Sequence, residues 1–395
     1  MSDYKFSTLG ANMQGSEIRR LFATSMRPNV ISLAGGLPHG GSFPIEEVTQ
    51  ALQKSLAENG EIYLQYGGSR GNAEGFEAAQ YRMKKRGIDV PQEEIVITSG
   101  SQQVIDLMTK VFVDPGDVIL MEDPTFVGAI GVFRNYQAKL QGIPMQEDGL
   151  DLDALKKVLD TTANVKFMYL IPNFQNPSGL TMSVEKRRQV LAWADAYDFM
   201  ILEDDPYGEL WFTGGLDGVR PIKSWDTSGR VVYTSSFSKI ISPGIRLAWA
   251  AAPSAVIDRF DMGRQMMDVC SNPLMQAVAK ELCLSGFLDD HIEKLRGIYA
   301  SHAKAMLDAL ETHMPEGVTW TKPNGGFYVW LMLPDRLNAL DMLASALDKN
   351  IAYVIGSAFS PSSGSKNAMR LSFCHEDGDV LEEGVRRLAE VIKAQ

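Results

Sequence analysis

Cysteine is scarce: 395 residues hold three, Cys270, Cys283 and Cys374, with no CxxC pair and no histidine at metal-ligand spacing. That count argues against a disulfide scaffold and a structural zinc site, and it suits a reducing compartment. No apolar run reaches the ~18 residues needed to cross a bilayer. Residues 1–21 are polar and broken by Gly10 and Gly15, without the apolar stretch and small-residue cleavage site of a secretory signal. Positive charge is in deficit: 38 Lys and Arg against 49 Asp and Glu leave a net charge of −11, where a nucleic-acid binder normally carries a basic face. The expectation is a cytoplasmic chain that engages neither membrane nor nucleic acid. No period of ~20–50 residues repeats, which disfavours a solenoid or propeller.

What is present is the composition of an ordinary folded globular protein, 45% hydrophobic and 22% charged. The length exceeds the ~250–300 residues at which single cores stop growing, so a large domain and a smaller one are expected. Glu94-Ile-Val-Ile-Thr98 reads as a strand, and Val104, Leu107, Met108 and Val111 follow it at helical spacing. Val118–Met121, Phe167–Ile171, Phe199–Leu202 and Val231–Tyr233 are near-continuously apolar, the pattern of strands covered on both faces. Ser183 can cap a helix running to about Tyr197. The fold class is therefore α/β with a largely parallel sheet. After about residue 290 the pattern changes to a long helix, His291 to His313, then strands at Phe327–Leu331 and Met369–Phe373 and a last helix from about Asp379. The expected division is an arm over 1–40 belonging with the smaller domain, a large domain over 41–290 and a small α+β domain over 291–395.

Ligands of such sheets gather outside the carboxyl ends of the strands. Here those ends are polar: Ser99–Gln102, Glu122–Phe126, Asn173–Gly179, Glu203–Tyr207 and Ser235–Lys239. Lys239 is the most informative of these residues. At the rim of a buried sheet, desolvation disfavours the ammonium and leaves a neutral amine free to form a Schiff base. Taken alone, a lysine snorkelling to the surface fits the same position.

The surrounding motifs carry a resemblance over nearly the whole chain. Ser236-Phe-Ser-Lys239 with Pro243-Gly-Ile-Arg246, Asn176-Pro-Ser-Gly179, Asp204-Asp-Pro-Tyr207, Pro323-Asn-Gly-Gly-Phe327 and Met369-Arg-Leu-Ser-Phe373 resemble, in family order, the motifs of class I aminotransferases. These are pyridoxal-phosphate enzymes of fold type I. The stretches Ile31-Ser-Leu-Ala-Gly-Gly-Leu-Pro38 and Ser16-Glu-Ile-Arg-Arg20 resemble the arm of the branch that acts on 2-aminoadipate, kynurenine and aromatic amino acids.

The resemblance implies a role for each residue. Lys239 is the Schiff-base lysine and proton carrier, Asp204 the partner of the ring nitrogen, and Tyr207 and Asn176 the partners of the ring oxygen. Gly100, Ser101 and Gln102, at a strand-to-helix turn, supply backbone donors to the phosphate, joined by Ser236, Arg246 and, from a second subunit, Tyr66. Phe126 stacks on the ring, where Tyr is more usual. Arg370 receives the substrate α-carboxylate, with Asn173 in support, while Gly36 and Arg19 contact the substrate. Two departures stand out, Ser178 for the usual Thr and Ala248 for the usual Gly.

The implied reaction is ping-pong transfer of an amino group from an L-amino acid to a 2-oxo acid, 2-oxoglutarate being the expected acceptor, in a homodimer with shared sites. A β-lyase, decarboxylase or racemase would use the same Lys and Asp. A regulator's cofactor-binding domain would follow a basic DNA-binding segment of ~60 residues. Here the arm motif begins by Ser16 and the chain is acidic.

Overall fold

The computed structural model describes residues 4–12 and 29–395. Each apolar run of the first 255 residues forms a strand of one sheet, ordered Ile95–Thr98, Ala248–Ala251, Val231–Ser236, Met200–Asp204, Val165–Leu170, Val118–Asp123, Lys139–Gln146, Gly149–Leu150. From Val231–Ser236 to Lys139–Gln146 the pairing is parallel. Ala248–Ala251 lies antiparallel between Ile95–Thr98 and Val231–Ser236. That strand has no β-branched residue, so its sequence carries little strand signal; it forms because both neighbours present open edges to it.

Alternate residues of the sheet serve two separate cores. Ile119, Met121, Phe167, Tyr169 and Leu202 pack with Val104, Ile105 and Leu107 of the helix Ser101–Phe112. Leu120, Met168, Leu170 and Ile201 face the other way, onto Leu155 and Leu159 of Leu152–Thr161 and Val190 and Ala194 of Val184–Ala196. This two-sided cover explains why the strands read as unbroken apolar runs. Ser183 caps Val184–Ala196 as expected, its Oγ accepting from Lys186 N at 3.4 Å.

The long helix runs Phe287–His313, a turn earlier than expected, because Gly286 at φ 82° starts it and Asp289 and Asp290 suit its first turn. A smaller antiparallel sheet follows, ordered Thr319–Trp320, Tyr328–Met332, Ala368–Ser372, Val354–Ile355. Each of its two expected strands is displaced by one residue. Ile31–Ser32 pairs in parallel with Ile351–Ala352, and Leu33 O accepts from Ser372 N at 2.8 Å, so the N-terminal segment is stitched to this region. Among the described residues no helix is long and apolar enough to cross a membrane.

Candidate active site

A cavity of about 760 Å³ opens where the parallel strands end. Asp204 and Ser236 close two of them, and the loops holding Gly100, Phe126 and Asn176 follow three others. Lys239 sits one short turn beyond Ser236. Tyr328 and Arg370 enter from neighbouring strands of the smaller sheet, and Gly36 and Leu37 from the N-terminal segment.

Asp204 is 4% exposed. Its Oδ2 accepts from Tyr169 Oη at 2.8 Å, but its Oδ1 has no partner. Burial pushes its carboxyl up to about 7; the Tyr169 bond pulls down and the Asp205 charge adds to the rise. A buried carboxylate oxygen without a partner is costly unless a cation meets it. A protonated ring nitrogen fits that unfilled position.

Lys239 is half-buried, and its Nζ donates to Gly36 O at 2.9 Å. Desolvation holds its ammonium down at about 8, with Arg370 and Arg246 lowering it further and Cys374 opposing. A neutral amine is thus accessible near physiological pH, as a carbonyl-binding lysine requires.

At the cradle, Gly100 has φ 118° and leads directly into the helix Ser101–Phe112. A Cβ on Gly100 would overlap the Arg246 guanidinium, so only glycine lets that charge lie against the helix start. Arg246 donates from Nη2 to Ser99 O at 2.9 Å. Ser101 Oγ is buried without a partner, and Ser236, Ser238 and Gln102 line the same wall. The unpartnered Ser101 hydroxyl, a helix N-terminus and a guanidinium together suit a phosphate dianion.

Arg370 is 3% exposed and runs between Tyr328 and Phe359, 4.3 and 4.9 Å from their ring centroids. Its Nη1 donates to Asn176 Oδ1 at 2.9 Å and its Nη2 to Ala34 O at 2.6 Å, while Nε has no partner. Asn176 is held in turn by its loop. Gln175 Nε2 donates to Glu122 Oε2 at 3.1 Å and to Pro124 O at 2.7 Å, and Gln175 Oε1 accepts from Ser178 N at 2.8 Å. This ties the loop of Asn176 to the loop of Phe126, whose ring lies against Gly128 where a Cβ would overlap it.

Most expected site residues therefore converge on one cavity. Asn173 does not. Its Nδ2 donates to Asp205 Oδ1 at 2.8 Å and its Oδ1 accepts from Arg187 Nη2 at 2.8 Å, so both ends of the amide are committed beneath the site. Tyr66 is 79% exposed and lies off the cavity of its own chain. Arg19 lies outside the described residues. Two contributors had gone unnoticed in the sequence. Tyr169 is the one hydroxyl in an apolar strand run, and Tyr328 directly follows the Gly325-Gly326-Phe327 turn.

A lysine whose ammonium is held down, a buried carboxylate oxygen without a partner and a helix start beside a guanidinium, all at the strand ends of an α/β sheet, suit an enzyme that carries an aldehyde cofactor on lysine. The chain belongs to the aminotransferases of class I and II, whose family model matches residues 28–388. It is 40% identical to aromatic-amino-acid aminotransferase 1 of Thermococcus litoralis, over 100% of this chain and 95% of the relative. The crystal structure of Pyrococcus horikoshii kynurenine aminotransferase, solved with PMP, superposes with a TM-score of 0.95 at 40% identity, covering 98% of this chain and 97% of that one. The α-aminoadipate aminotransferase of Thermus thermophilus, in complex with N-(5'-phosphopyridoxyl)-L-leucine, superposes with a TM-score of 0.91 at 36% identity, covering 98% and 97%. The protein is a fold type I transaminase that uses pyridoxal 5'-phosphate and exchanges amino groups between amino acids and 2-oxo acids.

Proposed function

We propose that this transaminase works through Lys239 and Asp204, with large apolar L-amino acids as donors and 2-oxoglutarate as acceptor. The observation that carries the assignment is the buried, unpartnered Oδ1 of Asp204 in the same cavity as Lys239. When bound, the cofactor supplies an electron sink for the substrate Cα. Asp204 would keep the ring nitrogen protonated, and Lys239 would hold the aldehyde and serve as the base and acid that moves a proton at its Nζ. Tyr207 and Asn176 would meet the ring oxygen. Gly100, Ser101, Gln102, Ser236 and Arg246 would hold the phosphate, and Phe126 would pack on the ring face. Arg370 receives the α-carboxylate with its fork, and Gly36 lets backbone approach the substrate.

Leu37, Val127 and Tyr328 add apolar surface to the cavity, which supports a preference for large side chains. Similarity to enzymes named for aromatic amino acids and kynurenine supports the same preference. With 2-oxoglutarate as acceptor, phenylalanine is expected to exceed alanine in kcat/KM by at least about tenfold, measured as glutamate formed, since burying an aromatic side chain is worth roughly 1.5–3 kcal/mol. Equal or better turnover of alanine would contradict the donor assignment.

The assembly we propose is a homodimer. Ile62, Leu64 and Tyr66 are exposed, as are Met262, Met266 and Val269. Arg264 Nη1 donates to Ser69 O at 2.8 Å and brings the two segments together. A second copy covering this apolar surface would direct Tyr66 toward its partner's phosphate cradle. The proposed domains are 41–290 and 291–395, the arm over 1–40 joining the second through Ile31–Ser32. The three unpaired cysteines suit the cytoplasm.

A further inference from the structure

Two buried hydroxyls meet at the wall of the cavity. Tyr207 Oη lies 3.2 Å from Tyr328 Oη, and among the described residues neither hydroxyl has another hydrogen-bond partner. The residues are 4% and 2% exposed. Gly36 seals the far side of Tyr328 Oη, since a Cβ on Gly36 would overlap that oxygen.

The Tyr328 ring is placed without help from its hydroxyl. The Arg370 guanidinium lies over it at 4.3 Å, and the rings of Tyr207 and Phe327 meet it edge-on at 5.8 and 6.2 Å. Phenylalanine would satisfy all of these contacts. The hydroxyl is therefore surplus to packing, yet it is buried with a single partner.

Counting protons gives it a direction. A neutral tyrosine has one hydrogen to give and lone pairs to receive. Burial raises both groups above the ordinary tyrosine value, so both keep their hydrogens at neutral pH. Arg370, Asp204 and Cys374 are the other titratable groups that act on the pair. Once Tyr207 commits its hydrogen to the cofactor's ring oxygen, only the hydrogen of Tyr328 remains for the contact between them.

We propose that Tyr328 is a positioning residue that donates to Tyr207 Oη, orienting Tyr207 and strengthening the hydrogen bond by which Tyr207 holds the cofactor. The inference rests on the role given to Tyr207 above. Hydrogen bonds in a chain polarise one another, so the second hydroxyl acts on the cofactor without touching it.

Tyr328→Phe removes one oxygen and leaves the ring over Arg370. In reconstituted holoenzyme, the pH midpoint of the lysine-linked cofactor's absorbance is expected to rise by about half to one pH unit, the equivalent of one hydrogen bond. The sign follows because a donor chain draws charge from the ring oxygen and weakens its hold on the neighbouring proton. Apoenzyme should bind pyridoxal phosphate about three- to tenfold more weakly. The turnover number should fall by a similar factor, with KM for the amino acid within about twofold of wild type.

Tyr207→Phe should shift the midpoint further in the same direction, and Tyr328→Phe added to it should change nothing more. A midpoint moved by Tyr207→Phe but not by Tyr328→Phe overturns the inference and leaves the role of Tyr207 intact. An undiminished effect of Tyr328→Phe in the Tyr207→Phe background also overturns it, because the effect would then bypass Tyr207. If neither variant moves the midpoint, the role of Tyr207 falls and the inference falls with it.

Discussion

Lys239→Ala should lower kcat by at least about 10³-fold and remove the visible absorbance of the lysine-linked cofactor. The size follows because the proposed role gives one amine both the covalent link and the proton, and positioned proton transfer alone contributes about 10²–10⁴-fold. Lys239→Arg fails equally, since a guanidinium keeps the charge but offers no neutral amine. Wild-type apoenzyme supplies a matched control through pH. With the Lys239 ammonium held down at about 8, the neutral fraction grows as pH rises through that value. Stopped-flow capture of pyridoxal phosphate therefore accelerates up to about pH 8 and levels off above it. A rate still climbing towards pH 10 would mean that Lys239 is an ordinary exposed lysine.

Asp204→Asn ranks next. The amide can still accept from Tyr169, so the local geometry survives, but the charge proposed to face the ring nitrogen is gone. Breaking a buried pair costs about 3–5 kcal/mol, which corresponds to a loss of roughly 10²–10⁴-fold in kcat. The apoenzyme should respond in the opposite sense. The folded carboxyl is raised from 3.8 to about 7, so the folded state holds its proton more tightly than the unfolded chain does. That contribution to stability is fully present below about pH 4 and is lost as pH rises through 7. At pH 8 Asp204→Asn should therefore melt no lower than wild type without cofactor, while failing in turnover. Loss of both stability and activity at pH 8 would mark Asp204 as a structural residue only.

Much of this site could be read from the chain because its chemistry depends on residue types at the ends of apolar strands. Asp204, Ser236 and Lys239 follow runs whose two-sided burial is visible as unbroken hydrophobicity, and the cavity lies at those ends. What was not legible depends on contacts distant in sequence. Asn173 lies three residues from Asn176 but turns beneath the site, because Asp205 and Arg187 claim its amide. Tyr328 meets Tyr207 and Gly36 only once the smaller sheet docks on the larger one. The strand Ala248–Ala251, which positions Arg246, is too short and too rich in alanine to announce itself. Its neighbours on both sides determine its conformation, and that pairing is non-local.

The most direct measurement is a single turnover. Holoenzyme in slight excess is mixed with phenylalanine and no oxo acid, and the products are quantified. Transamination through Lys239 and Asp204 predicts one equivalent of 2-oxo acid and one of the aminated cofactor, with no ammonia or carbon dioxide, and 2-oxoglutarate then restores the aldehyde form. Ammonia, carbon dioxide or racemised phenylalanine, with the cofactor still in its aldehyde form, would contradict the account.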